Sequence, residues 1–505
     1  MRVTQLTQRK ILLFLGLITL SAVVLSVLML TRDLDWGDDW AGYIMQGQSI
    51  ARGNMREFVE ANAFTIEHSS YVIAPVTYPW GFPLLLSPVL DAFGLNLLAL
   101  KFVLTICYAL FLPAFFLLAR TRLSRSQALL LTAVLGLNPA LLLMQDGLGA
   151  DIPFLLFSTL GLWLIEKFVN QDQQPCVRLG PGVAIGCVVF LAIFTRGNGY
   201  FLLASLAIAQ FMRFMRRARH NVRLHPADLQ GVVPYAVVGL LYVLQAWAFP
   251  GLPYPLRPLF AVMSLPTIWN NVGYYFWLPA DFFGNLVNGG RIIYLVLLIG
   301  FLLNLSQWRG RDLPIHAYGL ATLLFLVLYP HVQGLRYILP LLPLFVLFSF
   351  DGMRRVVERL QPGHRERTMA LTFDLWAGLA LISLAACIQL GWGNLAADRA
   401  FNGRSSGAFS PGSSAMFEFV RQETPPDSVI IFFKPRTMRL RTDRDSFMTS
   451  ECQDLSTGDY VAILNSEQGY DQIQPDKVTH CNPAVFLVPV YEKYDFIIYR
   501  ISPLD

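Results

Sequence analysis

The composition of this 505-residue chain excludes an ordinary water-soluble protein, because 54% of its residues are hydrophobic and only 14% are charged. The mean hydropathy is +0.48, as expected for a chain that crosses a membrane several times. The formal net charge of +5 is small for this length. The arginines cluster between apolar runs, where they orient a membrane chain, so nothing here indicates a nucleic-acid partner.

Apolar runs of membrane-spanning character begin directly after Arg9 and Lys10. The first run, residues 11–30, is too long for a typical signal-peptide core and is not followed by a small-residue cleavage site, so it predicts an uncleaved span. Ten further runs lie at residues 97–118, 127–144, 152–169, 179–194, 200–214, 232–249, 292–305, 315–329, 337–350 and 377–390. The sequence therefore predicts about eleven transmembrane helices.

The arginines predict the orientation of these spans. They follow spans two, six and ten: Arg120, Arg122, Arg125; Arg216, Arg217, Arg219, Arg223; and Arg354, Arg355, Arg359, Arg365, Arg367. Positive charge marks cytoplasmic connections. We therefore expect a cytoplasmic N-terminus, with the first loop (residues 31–96), the connection at 250–290 and the C-terminal tail on the outer side.

The tail differs in composition from the rest of the chain. The sequence predicts a transmembrane domain at residues 1–392 and a small extracytoplasmic mixed α/β domain at 393–505. Its predicted elements are a helix near 415–423 and strands at 429–433, 461–464, 485–490 and 495–501. Cys452 and Cys481 would form a disulfide in an oxidising compartment. No zinc spacing, phosphate-binding glycine loop or Ser-His-Asp signature is present.

The first outer loop carries two adjacent carboxylates, Asp38 and Asp39, flanked by Trp36, Trp40 and Tyr43. Such amphipathic rings favour a site at the boundary between lipid and water. The loop is long enough to contain short interfacial helices, one of them ending near residue 93, before a glycine. In the alternative interpretation, Asp38 only caps one of these helices.

Ionisable residues elsewhere gather at the predicted outer ends of the spans: Lys101, Asp146, Asp151, Arg196, His331 and Arg336. Each alone is explained by snorkelling or helix capping. Their common location beside the carboxylate loop favours one shared site. Carboxylates and guanidinium groups together suit a phosphate-bearing substrate whose partner hydroxyl must lose a proton.

Four short motifs, in this order, carry a resemblance to a known family: Gly37-Asp38-Asp39 with Tyr43, Tyr78-Pro79-Trp80-Gly81-Phe82-Pro83, Asp151-Ile152-Pro153, and Arg336-Tyr337-Ile338-Leu339-Pro340. With them the chain resembles the GT-C superfamily of integral-membrane glycosyltransferases. The resemblance is to the branch that uses polyprenyl-phosphate-linked sugars, which includes protein O-mannosyltransferases and aminoarabinose transferases. Relatives commonly carry Asp-Glu and Pro-Pro-Gly where this chain carries Asp38-Asp39 and Pro79-Trp80-Gly81.

The resemblance implies an inverting glycosyltransferase in a bacterial-type inner membrane. It would move a sugar from a polyprenyl-phosphate donor to a hydroxyl of a glycan, lipid or protein acceptor on the outer face. Asp38 would be the catalytic base, whereas Asp39 would orient the loop, bind the acceptor or help to hold a divalent cation. Metal use stays open. Arg336 is the first candidate for the donor phosphate, followed by Arg196 and Lys101. We assign further substrate contacts to Tyr43, Tyr78, Asp151, His331 and Tyr337.

Two other classes of protein compete with this interpretation. A transporter or flippase of lipid-linked saccharides usually places polar residues near the membrane midplane on discontinuous helices and has repeated halves. The sequence shows neither feature. A scaffold subunit would explain the number of spans but gives no reason for the carboxylate loop.

Overall fold

The computed structural model describes residues 7–70, 74–170, 179–218, 230–251, 263–284, 289–307, 310–360, 362–401, 407–465, 471–473 and 485–503. By its internal contacts the chain forms two compact units. Unit 1 consists of Met1–Leu30, Lys101–Gln245 and Pro255–Leu395. Unit 2 consists of Thr31–Leu100, Ala246–Tyr254 and Ala396–Asp505.

Helices make up most of the described chain. The first eleven are α1 (Gln8–Met29), α2 (Asp39–Arg52), α3 (Met55–His68), α4 (Gly81–Phe93), α5 (Leu97–Ala119), α6 (Arg125–Gly136), α7 (Pro139–Leu143), α8 (Asp151–Ile165), α9 (Leu179–Thr195), α10 (Phe201–Ala218) and α11 (Val233–Ala248). The others are α12 (Leu265–Trp277), α13 (Asp281–Gly284), α14 (Gly290–Ser306), α15 (Leu313–Val327), α16 (Leu335–Ile338), α17 (Leu342–Val357), α18 (Pro362–Phe401), α19 (Pro411–Glu423) and α20 (Pro435–Thr442).

Six helices within the described ranges are long and apolar enough to cross a membrane: Gln8–Met29, Leu97–Ala119, Asp151–Asn170, Gln230–Ala248, Leu335–Val357 and Glu366–Gly393. Shorter apolar helices include Leu179–Thr195 and Gly290–Ser306. Every apolar run identified in the sequence coincides with one of the helices or with two successive ones. The prediction of a mostly helical membrane protein is confirmed, and the number of about eleven spans stays a prediction.

The predicted third span, residues 127–144, is interrupted in the structure. α6 ends at Gly136, and α7 begins at Pro139. Asn138 caps α7, because its Oδ1 accepts a hydrogen bond from the Leu141 N–H at 3.2 Å. Proline at the first helical position has no N–H to leave unsatisfied, so the Asn-Pro pair starts a new helix.

Unit 1 contains a buried network of opposite charges. Arg122, in the turn after α5, donates from Nε to Asp312 Oδ1 at 2.9 Å, and its Nη2 lies 3.3 Å from Glu166 Oε1. Arg355, on α17, donates to Asp312 Oδ2 at 3.1 Å and also pairs with Asp351. All five side chains are at most 2% exposed. A buried charge is tolerated only when it is paired, so these residues depend on one another.

The network joins parts of unit 1 that are far apart in sequence. Glu166 lies in a short π-helical segment, Glu166–Asn170, that continues α8, and Asp312 lies directly before α15. Asn304, near the end of α14, donates to Asp351 Oδ2 at 3.0 Å. The arginines that orient the chain in the sequence analysis therefore include two, Arg122 and Arg355, that also hold helix ends together inside the protein.

Three helices of unit 2, α2, α3 and α4, come from the first loop, where the sequence predicts short helices. α2 ends at Arg52 because Gly53 adopts the left-handed conformation, with φ of 74°. α4 ends at Phe93, before Gly94. Unit 2 also includes the tail, which contains α19 and α20 and a five-stranded sheet.

The sheet has the strand order β2-β1-β3-β5-β4. The strands are β1 (Val429–Ile431), β2 (Asp445–Phe447), β3 (Tyr460–Leu464), β4 (Val485–Lys493) and β5 (Phe496–Pro503). β1 is parallel to β2 and β3, whereas β5 is antiparallel to both of its neighbours. In register, Val461 opposes Tyr499. The predicted mixed α/β tail is confirmed, with β2 and α20 as elements that the sequence analysis did not include.

The first loop and the tail share one hydrophobic core. Met416 and Phe417 of α19 pack with Phe432, Phe433 and other buried residues of the sheet. Trp36 of the first loop packs against this cluster, with ring centroids 5.1 Å from Phe433 and 5.8 Å from Phe432. The chain segment before Asp38 is therefore fixed by the tail.

The compact units divide the chain differently from the predicted domains at 1–392 and 393–505. A compact unit need not coincide with a membrane-embedded domain. The predicted domain boundary between residues 392 and 393 therefore stays a prediction. Cys452 is disulfide-bonded. Its predicted partner, Cys481, lies outside the described residues, so the pairing also stays a prediction.

Candidate active site

The side chain of Asp38 is fixed by the first turn of α20. Its Oδ1 accepts hydrogen bonds from the backbone N–H of Arg436 at 3.0 Å and of Thr437 at 3.3 Å. It makes no capping hydrogen bond to α2, the helix that follows it in sequence. A carboxylate at a helix N-terminus satisfies N–H groups that have no partner within the helix. Asp38 thus caps a helix, but one in the tail.

The second oxygen of Asp38 has different surroundings from the first. Oδ2 is buried and has no hydrogen-bond partner among the described residues. Arg436 Nε lies 3.9 Å from this oxygen. Burial raises the pKa of Asp38 to about 6, although the positive charges of Arg436 and Lys434 oppose the rise. A carboxylate with this pKa can accept a proton near neutral pH.

Asp39 takes part in a hydrogen-bonded relay. The hydroxyl of Tyr78 donates to Asp39 Oδ1 at 2.6 Å, and Arg436 Nη1 donates to the same hydroxyl at 2.9 Å. Burial raises the pKa of Tyr78 well above its ordinary value, so the hydroxyl keeps its proton and remains a donor. The two carboxylates therefore have different surroundings. Asp38 has a buried oxygen with no hydrogen bond from any described residue, whereas Asp39 accepts one from a tyrosine.

Tyr78 is held by α2 from several directions. Gln46 accepts from the Tyr78 N–H at 2.9 Å and donates to the Tyr78 carbonyl oxygen at 3.1 Å. The ring of Tyr43 lies 4.4 Å from the Tyr78 ring, between centroids. A Cβ atom at Gly42 would be 2.9 Å from Tyr78 Cε2, so any larger residue at this position would displace the Tyr78 ring. Tyr43 and Tyr78, both predicted site residues, therefore lie beside Asp39.

The sequence analysis did not identify Arg436, the cation at the centre of this site. Its side chain is 0% exposed. Besides Tyr78, the guanidinium donates to Asn62 Oδ1 at 3.1 Å and to the carbonyl oxygen of Pro75. Nothing in the sequence distinguishes Arg436 from a surface arginine, because a single arginine after a proline is as typical of a solvated turn as of a buried site.

A second cluster of predicted residues lies in unit 1. Asp151, the first residue of α8, pairs through Oδ1 with Arg196 and through Oδ2 with Arg336, whose Nε is 3.1 Å away. The Arg196 guanidinium lies over the ring of Tyr337, 4.3 Å from its centroid. Asp151 is buried, whereas the side chain of Arg336 is 41% exposed. One carboxylate thus orients two guanidinium groups, which is an arrangement suited to a phosphate.

Lys101 and His331, two other predicted site residues, have contacts of their own. Lys101 Nζ pairs with Asp146 at 2.6 Å, and its side chain is 0% exposed. His331 is exposed, with its ring 6.4 Å from that of Tyr329. Their roles in substrate binding stay predictions. No group of three or more His, Cys, Asp or Glu residues in the described part of the chain could hold a metal ion, and metal use stays open.

No protein-family model matches the chain, and no curated protein sequence does so. Solved structures do. ArnT from Cupriavidus metallidurans, bound to undecaprenyl phosphate, is similar over 98% of this chain and 98% of that chain, with 13% identity and a TM-score of 0.54. The oligosaccharyltransferase AglB from Archaeoglobus fulgidus, in complex with an inhibitory peptide and a dolichol-phosphate, is similar over 86% of this chain and 64% of that chain. Its identity is 15% and its TM-score is 0.57.

These similarities extend along most of the chain at low identity, so they identify the fold. They agree with the apolar helices of the described chain. The protein is a multi-pass membrane protein with the fold of the GT-C superfamily of membrane glycosyltransferases.

Proposed function

We propose that the protein is an inverting glycosyltransferase that moves one sugar from a polyprenyl-phosphate donor to an acceptor hydroxyl. The observation that carries the proposal is the difference in hydrogen bonding between the two carboxylate oxygens of Asp38. One oxygen is fixed by two backbone N–H groups, and the other is buried without a hydrogen-bond partner among the described residues. Two proteins of the same fold, ArnT and AglB, have been solved with undecaprenyl phosphate and with a dolichol-phosphate, which supports a lipid-linked donor.

In the proposed reaction the acceptor hydroxyl attacks the anomeric carbon from the side opposite the phosphate. Asp38 Oδ2 takes the proton of that hydroxyl as the new C–O bond forms. The bond between the anomeric carbon and the phosphate oxygen breaks, and the polyprenyl phosphate leaves with the electron pair. A single displacement of this kind inverts the configuration at the anomeric carbon.

Arg336 and Arg196 would stabilise the leaving phosphate. Negative charge grows on that group as the glycosidic bond breaks, so fixed guanidinium groups lower the energy of the transition state. Asp151 would keep both side chains in place, and the Tyr337 ring would stack against the Arg196 guanidinium. Lys101 remains a weaker candidate because it pairs with Asp146.

The test is turnover by the purified protein. Polyprenyl-phosphate donors with radiolabelled sugars are incubated with panels of glycan, lipid and peptide acceptors, with and without a chelator of divalent cations. Formation of a labelled acceptor supports the proposal, and the two arms show whether a metal is needed. Movement of the labelled donor between leaflets of a vesicle without any glycosylated product would instead support the flippase alternative.

Replacing Arg336 by lysine should impair transfer although the positive charge is kept. Lysine has one ammonium group and cannot reproduce the planar fork that contacts Asp151 and a phosphate together. We expect kcat to fall by about 10²-fold, the order seen when one donor to a developing oxyanion is lost. The matched control is Arg291→Lys, an exposed arginine of α14. Equal rates for the two variants would remove Arg336 from the phosphate site.

We further propose that the tail lies outside a bacterial-type inner membrane, because the arginine clusters assign the connections after spans two, six and ten to the cytoplasm. Alkaline phosphatase fused after residue 505 should be active, and the same enzyme fused in the loop after α10 should be inactive. The reverse result would mean that the orientation is opposite to the one proposed, with the carboxylate loop in the cytoplasm.

A further inference from the structure

Arg436 contacts the two carboxylates of the site by two different groups. Its backbone N–H donates to Asp38 Oδ1 at 3.0 Å. Its guanidinium donates to the Tyr78 hydroxyl, which in turn donates to Asp39 Oδ1. A residue of the tail thus fixes one carboxylate directly and the other through a tyrosine.

We infer that Arg436 is a positioning residue for sugar transfer, and that the tail contributes to the catalytic site through it. The inference rests on the proposed function. It extends that function, because Arg436 lies in none of the motifs that indicated a glycosyltransferase.

The geometry around the guanidinium supports a positioning role. Asn62 Oδ1 and the Pro75 carbonyl oxygen accept from two of its nitrogens, so the group is held from α3 and from the chain segment before Tyr78. The carbon at the centre of the guanidinium also lies 5.2 Å from the centroid of the Tyr78 ring. With these contacts in place the Tyr78 hydroxyl has its acceptor position filled and its proton directed to Asp39.

The division between backbone and side chain makes the inference testable. A change of the Arg436 side chain breaks the relay to Asp39 but keeps the N–H that holds Asp38. Removal of the Tyr78 hydroxyl breaks the same relay at its next link and leaves every charge in place. Two variants that act on one relay should not have additive effects.

The experiment measures kcat and KM for the donor in wild type, Arg436→Met, Arg436→Lys, Tyr78→Phe and the double variant Arg436→Met with Tyr78→Phe. We expect kcat to fall by about 10- to 100-fold in Arg436→Met and in Tyr78→Phe, because small displacements of reacting groups cost about this much. KM for the donor should stay within about twofold of wild type, since the lost contacts are not to the donor. Arg436→Lys should recover part of kcat, and the double variant should be no slower than the slower single variant.

Arg444 provides the matched control. It is also a buried arginine of the tail, but its guanidinium donates to the backbone carbonyl oxygens of Thr442 at 3.1 Å and Thr424 at 2.9 Å. Arg444→Met should lower the amount of folded protein and leave kcat per folded molecule unchanged.

Three results would overturn the inference while the proposed function stands. They are a wild-type kcat in Tyr78→Phe, losses that multiply in the double variant, or an equal effect of Arg444→Met on kcat. Tyr78→Phe keeps the inference testable if Arg436→Met does not fold, because it removes only one oxygen atom. A wild-type protein that transfers no sugar from any donor would instead overturn the proposed function, and the inference with it.

Discussion

Replacing Asp38 by asparagine should lower the rate of sugar transfer by about 10²- to 10⁴-fold, the usual contribution of a general base. Asparagine keeps an oxygen that can accept from the Arg436 and Thr437 N–H groups, so the cap of α20 should survive. The amide nitrogen that replaces Oδ2 cannot take a proton. The measurement is turnover of the labelled donor, together with donor binding and thermal unfolding in detergent, which should both stay near wild type.

Two neighbouring carboxylates serve as controls. Asp35 is exposed in the same loop, so Asp35→Asn should transfer sugar at the wild-type rate. Asp39→Asn keeps an acceptor for the Tyr78 hydroxyl and should lose less activity than Asp38→Asn. Native turnover by Asp38→Asn would show that Asp38 acts only as the cap of α20.

The pH dependence of wild type provides a second check on the same assignment. A base must be ionised to accept a proton, and burial raises the pKa of Asp38 to about 6. The value of kcat/KM should therefore fall about tenfold per pH unit below that pKa and level off above it. In Asp38→Asn the residual rate should lose this acidic limb.

Replacing Arg122 by methionine should destabilise the protein by about 3–5 kcal/mol, the usual cost when one partner of a buried ion pair is removed. Glu166 and Asp312 would each lose a paired cation in an environment that excludes water. The free energy of unfolding can be measured with denaturant in mixed micelles.

Arg125→Met is the matched control for this effect. Arg125 begins α6, three positions after Arg122, and is exposed. Its replacement should change the free energy of unfolding by less than about 1 kcal/mol, as for most exposed charges. Equal stabilities of the two variants would mean that the ion pairs of Arg122 do not contribute to the free energy of unfolding.

The helical part of the fold was predictable because a helix that spans a bilayer needs about 20 apolar residues, and such runs are visible in any sequence. The break between α6 and α7 was not predicted, because apolar residues continue on both sides of Asn138 and Pro139. β2 was missed for another reason. Three residues, Asp445–Phe447, are too few to show the alternation that identifies a strand.

The candidate site was partly predictable. Asp38, Tyr78 and Asp151 lie in local motifs, and local motifs can be read without a fold. For Arg196 and Arg336 we expected a shared site but not pairing with the same carboxylate, because the sequence gives no distances. Arg436 could not be predicted, since 398 positions separate it from Asp38 and nothing around it differs from a surface turn.

Because the first loop packs with the tail in one hydrophobic core, the loop cannot reach its final structure until the tail has been synthesised. Asp38 leaves the ribosome long before Arg436, and at about 5–20 residues per second the interval is about 20–80 s. Throughout this time Trp36 lacks the aromatic cluster into which it packs. The nascent loop is therefore exposed to chaperones and proteases until these residues of the tail have been synthesised. By the proposed mechanism, a chain that stalls before α20 would lack the two N–H groups that fix Asp38 and would transfer no sugar.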